Sequence, residues 1–399
     1  MRLKGLFQTQ QPQRKASLPS WYGALQSYVQ SPGQPVWSGR NYAKFAEEAY
    51  RRNVIAYRAI TLIAKGAASV PVLMYGREAD GARQEIASHP LLALLSRPNP
   101  MQNGSAFWEA LYVYRLLSGN VFIQAAGPGG EAPRELHLLR PDRVQVIAGR
   151  FGMPQAYRYR VGEETADFPV DPITGASRIL HLKDFHPMDD WYGLSPVEAA
   201  AYSIDQHNQS AAWNQSLLQN GARPTGALVV KMGEGATGQL SEDQYWRIKQ
   251  QMDEQFSGAA NAGRPLLLEG GLDWREMSLS PKDMDFMEAR HAAARDIALA
   301  FGVPPQLLGI PGDNTYANLV EARLALWEQT ILPLMNGTLE ALAGWLAPFY
   351  GEALRLEGDT DEISALAPRR ESVWERLQKA DFLSDDEKRA AVGYGAREF

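Results

Sequence analysis

Residues 282–349 carry two apolar stripes of helical period, separated by a stretch that no helix can absorb. In the first, Met284, Met287, His291, Ala294, Ala298 and Phe301 recur at steps of three and four and so share one helical face. The second repeats the rhythm through Val320, Leu324, Trp327, Ile331, Met335, Thr338, Leu342, Trp345 and Phe349. Pro333 lies inside that run and removes one backbone donor, which predicts a long helix kinked near Leu332. Between the stripes, residues 302–318 read GVPPQLLGIPGDNTYAN. Gly302 suits the end of the first helix, Pro304 and Pro305 forbid its continuation, and Gly309, Pro311, Gly312, Asp313 and Asn314 are turn formers. Thr315 or Asn318 can accept the first free N–H groups of the second helix. The helix pair must therefore carry a protruding polar loop, one that few apolar residues are expected to anchor.

At 399 residues the chain is long enough for two or three domains with cores of their own. No apolar run approaches the ~18 residues of a bilayer span, so no membrane is expected as a partner. Residues 1–15 are basic but lack an apolar h-region, which argues against a secretory signal. With no cysteine, disulfides, cysteine-ligated zinc and thiol nucleophiles are excluded. A net charge of −6 and a pI near 5.7 argue against a broad basic face that grips nucleic acid.

Residues 1–40 are rich in Gln, Pro, Ser and Gly and read as a flexible arm, whose Trp21, Tyr22, Tyr28 and Trp37 could dock on a neighbour. A helical pattern through Phe45, Ala49, Val54, Tyr57, Ile60 and Ile63 ends at Gly66, and a β-hairpin is expected around Asp80-Gly81. Ser105 is placed to cap a helix containing Trp108, Leu111, Tyr112 and Leu116. Strands are expected at 120–126, 135–139, 144–147, 156–161 and 178–182, separated by Gly- and Pro-bearing turns. The fold class is α+β.

Ser195-Pro196-Val197-Glu198 predicts a capping box with proline at the first helical position. The helix that follows, to residue 220, carries Gln206, Asn208, Gln209, Asn214, Gln215, Gln219 and Asn220 but no Lys or Arg. Such a helix is too polar for a core and too uncharged for a solvated face, and suits packing against copies of itself. Residues 226–280 alternate strand and helix: strands at 228–232, 266–268 and 274–279, and a helix capped by Ser241 that holds Trp246, Ile248, Met252 and Phe256. After the long helix, 352–368 is acidic and loop-like, and Ser384-Asp385-Asp386-Glu387 forms a second capping box in a small helical tail.

The six histidines form no helical i,i+4 pair and no HExxH. In DFHPMDD, Asp184, Asp189 and Asp190 around His186 are either ligands for a divalent ion or solvated turn residues, the ordinary role of such clusters. GxSxG, Walker A and GxGxxG motifs are absent, so no catalytic residue, metal or cofactor is assigned and no ATPase, nuclease or esterase activity is expected. An α/β hydrolase with an inserted lid is one competing class, opposed by the missing nucleophile and base. A sequence-specific nucleic-acid binder is another, opposed by the acidic pI.

The wording FGVPPQLLG followed by NLVEARLALWEQTILPLM resembles tailed-bacteriophage portal proteins, of the phage, prophage or gene transfer agent type. SRPNP, SGNVFI, ELHLLRPDRVQVI and ILHLKDF are similar to the family's wing, GLSPVEAA and NGARPTGAL to its first stem helix and exit, and AGRPLLLEGGLDW to its clip. The resemblance implies a division into arm (1–40), wing (41–190), first stem helix (191–224), clip (225–280), second stem helix (281–302), tunnel loop (303–318), long kinked helix (319–351) and short crown (352–399). It implies a ring, of twelve subunits in the assembled particle, at one capsid vertex, through which double-stranded DNA passes. The partners it implies are the major capsid protein, the terminase large subunit and a head-tail adaptor. It assigns Gly309, Ile310, Pro311, Gly312, Asp313, Asn314, Thr315, Tyr316 and Asn318 to the tunnel loop. Ser195, Gln206, Asn208, Gln215, Met284, Met287, His291 and Arg295 fall on the stem interface, and Tyr245, Trp246, Gln250 and Glu254 on the clip.

Overall fold

The computed structural model describes residues 41–77, 83–128, 131–150, 152–219, 226–230, 241–256, 272–276, 286–312, 316–351 and 354–392. Residues 1–40, with the expected arm, lie outside it, as does the strand expected at 266–268. The expected single helix from residue 41 to Gly66 is two. Helix α1 (Tyr42–Lys44) runs into a π-helical segment, Phe45–Arg51, and α2 (Val54–Ala68) starts afresh after Asn53. The Asn53 side chain accepts from the N–H groups of Ile55 and Ala56, a competition with helical continuation that a period of 3.6 does not reveal.

Strand β1 (Val72–Arg77) pairs antiparallel with β2 (Arg83–Glu85), as the hairpin pattern predicts. Helix α3 (Pro90–Ser96) follows, then α4 (Gly104–Ser118), capped by Asn103 rather than by Ser105. Strands β3 (Asn120–Ala126), β4 (Glu135–Leu139), β5 (Val144–Ala148) and β6 (Pro154–Val161) fall close to the expected spans. Strand β7 (Glu164–Pro169) was not expected; it reads ETADFP, is mostly exposed, and completes a sheet of order β5-β6-β7. Strand β8 (Ile179–Lys183) pairs with β3 on the edge opposite β4.

Ser195 caps α5 (Pro196–Ala199), its Oγ accepting from Val197 N at 2.9 Å rather than from Glu198, whose N–H goes to the Ser195 carbonyl. Helix α6 (Ala201–Gln219) continues after a break at Ala200. Beyond it, β9 (Gly226–Val230) pairs with β10 (Leu272–Glu276), and α7 (Glu242–Phe256) lies between them in sequence. Helix α8 (Phe286–Ala300) precedes the loop. The long helix comprises α9 (Tyr316–Leu326), a π-helical turn Trp327–Ile331 and α10 (Leu332–Tyr350). Pro333 therefore acts through a widened turn on its N-terminal side, which takes the ring's clash with the preceding carbonyls.

The span 352–368, expected to be loop, contains β11 (Arg355–Gly358), paired antiparallel with β1. Two single-turn helices lead to α11 (Ala367–Gln378), and Ser384 and Glu387 exchange the expected capping-box bonds before α12 (Asp385–Ala391). One hydrophobic core joins distant parts of the chain: Ile60 and Ile63 of α2, Leu111 of α4, Leu342 and Leu346 of α10 and Leu356 of β11. A second, smaller core sits under β5-β6-β7, with Phe122, Val146, Tyr157 and Tyr192.

The two cores meet α5 at a backbone crossing. Gly119 ends α4 in the left-handed region (φ 68°). A Cβ on Gly193 would lie 2.1 Å from the Gly119 carbonyl oxygen, so both positions must be glycine. Fully buried Asn120 stitches the crossing: its Oδ1 accepts from Gly193 N and from His181 Nε2, and its Nδ2 donates to Ser118 O.

Candidate functional site

The loop after α8 begins with a left-handed cap. Gly302 (φ 65°) donates to Leu299 O and Val303 donates to Ala298 O, the paired bonds of a Schellman motif. The Gly302 carbonyl then accepts from Thr330 Oγ at 2.7 Å, fixing the loop's first residue to the π turn of the long helix. That turn is itself seated on α2, where a Cβ at Gly66 would meet Ile331 Cδ1 at 2.8 Å. Pro305–Leu308 makes one helical turn that Gly309 (φ 72°) closes.

Ile310 corrects the expectation that few apolar residues anchor the loop. It is buried against Ala294, Ala298, Ile55 and Leu308. Arg295 Nη2 donates to the Pro311 carbonyl at 2.6 Å, so Arg295, expected on a stem interface, secures the loop of its own subunit. Pro311 and Gly312 are exposed. Asp313, Asn314 and Thr315 lie outside the described residues; Tyr316 opens α9, and Asn318 is exposed on it.

Two further stem residues are held within their own subunit, Ser195 by burial and Asn208 by hydrogen bonds. Ser195 is 1% exposed in the single chain, its Oγ donating to Leu116 O, and has no surface to offer a neighbour. Asn208 faces inward, accepting from Asn53 Nδ2 at 3.0 Å and donating to the Glu48 carbonyl at 3.0 Å. Gln206 and Gln215 are exposed, on a stripe with Tyr202, Gln209, Ala212, Ser216 and Gln219 that holds no charge. On α8, which packs against α6, Met287 and Leu299 are 59% and 79% exposed, His291 is half-buried, and Met284 lies outside the described residues.

Sequence reasoning missed the polar knot beneath this surface. Asn53 Nδ2 also points at His207 Nδ1 (3.2 Å), while Arg290 Nε faces His207 Nε2 at 3.4 Å. Donors approach the ring from both sides, so a proton added to it would meet a donor and a cation. Burial first, and Arg290 second, hold its pKa below the ordinary histidine value. The legible signal was an Asn preceding an apolar helical run.

The acid cluster near His186 is built as turn structure. Asp184 accepts from Arg115 Nε and Nη2 at 2.9 and 2.7 Å, and Asp189 accepts from the N–H groups of Trp191 and Tyr192. Among the described residues no group of three or more His, Asp or Glu is placed to hold a metal ion. On α7, Tyr245, Trp246 and Gln250 are exposed, Lys249 Nζ lies over the Trp246 ring, and Glu254 is on the same helix. Ser241 and Gln244 exchange capping bonds at the start of that helix.

The profile of the family described as phage portal protein matches residues 55–393. The chain belongs to the phage portal protein family. An uncharacterized protein of Rickettsia bellii is 47% identical over 346 residues, covering 87% of this chain and 88% of that one. The portal protein of Enterobacteria phage HK97 is 25% identical over 296 residues, 73% of this chain and 66% of its own. Two solved structures, the virion of the native gene transfer agent (GTA) particle and the neck of that particle computed with C12 symmetry, are each 44% identical, with TM-scores of 0.68. They cover 92% of this chain and 97% and 96% of their own. The portal fold and its α+β class are thus established, and the loop between α8 and α9 stands inside the matched span.

Proposed function

We propose that the protein is the portal of a phage-like particle, a ring of twelve copies at one capsid vertex whose axial channel passes double-stranded DNA. The observation that carries this reading is the end-to-end likeness to the C12 neck of the native GTA particle, at 44% identity over 92% of this chain. The location it implies is the virion, and the partners are the major capsid protein around the rim, the terminase large subunit during packaging, and a head-tail adaptor afterwards. The arm, wing, stem, clip, tunnel-loop and crown boundaries given above belong to the same reading.

Physical chemistry supports it in two places. The exposed stripe of α6 is uncharged, and α8, which packs against α6, exposes Met287 and Leu299, apolar area suited to neighbouring copies. The described part of the loop is anchored at Gly302, Ile310 and Pro311, which fixes its base on α8 and the long helix. Across 309–318 there is no Lys or Arg. A wall that lets DNA slide must avoid the multiple fixed phosphate contacts that give tight, salt-dependent binding. On this reading the protein has no catalytic turnover of its own.

Replacing Asp313, Asn314 and Thr315 together with lysine adds three cations per subunit to the channel. Particles carrying that variant assemble but package or retain DNA abnormally, whereas lysine at Ser372 or Gln378 has little effect. Equal packaged-DNA yield per particle for the loop variant and the parent would remove the loop from the channel wall.

A further inference from the structure

The loop between β8 and α5 is a rigid knob. Asp184 is clamped by Arg115, which also donates to Thr338 Oγ at 2.8 Å, and Asp184 N donates to Gly119 O at 2.9 Å. His186 Nδ1 accepts from Met188 N, Asp189 closes the turn onto Trp191 and Tyr192, and Lys183 Nζ donates to the Asp190 carbonyl. This bonded frame presents two apolar side chains to water, Phe185 at 85% and Met188 at 91% exposure. Pre-ordered backbone with exposed apolar tips lowers the loop-ordering part of the entropic cost of docking.

A cleft of about 740 Å³ opens elsewhere on the same chain, between the end of α2, α3 and the start of α4. Val70, Leu92, Leu95 and Trp108 line it with apolar surface, and His89 and Ser105 are among its polar lining. The first turn of α4, capped by Asn103, carries no acidic residue, so its positive end is opposite in sign to the acidic knob bearing Asp190.

Knob and cleft sit at opposite ends of α4: the knob is bonded to Gly119, and the cleft includes Asn103, Gly104 and Ser105. Fifteen residues at 1.5 Å rise separate them by ~22 Å, so one copy does not fill its own cleft. We propose that Phe185 and Met188 of one subunit enter the cleft of the next. Such a head-to-tail contact uses two different patches, and repeats of it close into a ring when the rotation permits. The inference rests on the ring reading above and names a contact outside the stem helices.

The chain has no native cysteine, so a disulfide test is clean. The double variant Met188→Cys with Ser105→Cys, oxidised as purified rings and run under denaturing, non-reducing conditions, gives a ladder of cross-linked multimers that reduction collapses. Ile173→Cys with Ser105→Cys, which joins another exposed position to the cleft, gives none. Rings that form without a ladder, or an equal ladder from the Ile173 pair, overturn the contact and leave the ring reading standing. A ladder that appears only after residues 1–40 are deleted gives the cleft to that segment and also overturns the contact. Absence of rings under every condition overturns both. As a second readout, Phe185→Ser with Met188→Ser lowers the ring fraction at fixed concentration about tenfold while the monomer's Tm is unchanged; an unchanged ring fraction counts against the contact.

Discussion

The α2-α4-α10 core and the α6-α8 pair are built from the same secondary structure to different ends. Ile60, Ile63, Leu111, Leu342 and Leu346 are fully buried in the single chain, and β11 returns from the far end of the sequence to seal the sheet beside them. That half meets its own needs. On α6 and α8 the inner residues are satisfied, Ile204 and Ile297 by burial and Asn208 by hydrogen bonds, while the outer faces leave Tyr202, Met287 and Leu299 in water, with an uncharged stripe on α6. On the proposed reading the contrast separates stability from assembly: the buried core, which includes Ile204 and Ile297, sets whether a subunit folds, and the outer faces of α6 and α8 are what meets other copies.

The sharpest way to break that separation is to remove a core side chain. Leu342→Ala leaves a cavity and costs ~2–5 kcal/mol, read as a lower monomer Tm, whereas Gln206→Ala shifts Tm within about 0.5 kcal/mol and acts on ring yield instead. Next in size is the glycine crossing. Gly193→Ala forces backbone apart at the junction of both cores with α5 and costs ~1–3 kcal/mol or more, measurable by chemical denaturation.

Acid probes the α6-α8 pair through His207 and the smaller core through His181. His181, stacked on Phe122 and bonded to Asn120, is pushed down to about 3 by burial, with Lys183 a lesser cause; His207 is held low by burial and then Arg290. Both folded values lie below the unfolded value near 6.5, so the unfolded chain binds more protons in this window. Stability is therefore full above pH ~6.5 and falls with acidification, by at most ~1.4 kcal/mol per pH unit for each histidine. Urea unfolding at pH 7 and pH 5 measures it, and His181→Phe flattens the slope. Smallest is Thr330→Val, which deletes the bond to Gly302 and costs ~1 kcal/mol, seen as faster amide exchange at Val303.

Local chemistry was legible in the sequence. The strands at 120–126 and 135–139, the Ser241 and Ser384 caps and the Gly302 stop all follow from residues close to one another in the chain. What depended on distant partners was not. β11 exists because β1 offers an edge some 280 residues earlier in the sequence, and β7 has no apolar alternation of its own to announce it. The π turns obey bonding that a helical period does not encode. At the site, glycines and prolines located the loop, but Ile310's burial and Arg295's hold on Pro311 required α8 and α2 to be placed. Ser195 illustrates the limit most plainly: its capping role was readable, its depth was not.

The central claim is that the α6-α8 surface exists for copies of itself around a channel. Electron microscopy of the purified protein tests it most directly, in solution and in particles. The account predicts rings with an axial hole, twelve-fold in the particle, that weaken when Tyr202 and Leu299 are replaced by lysine. Compact monomers at every concentration, together with particles whose portal vertex lacks the protein, would contradict it.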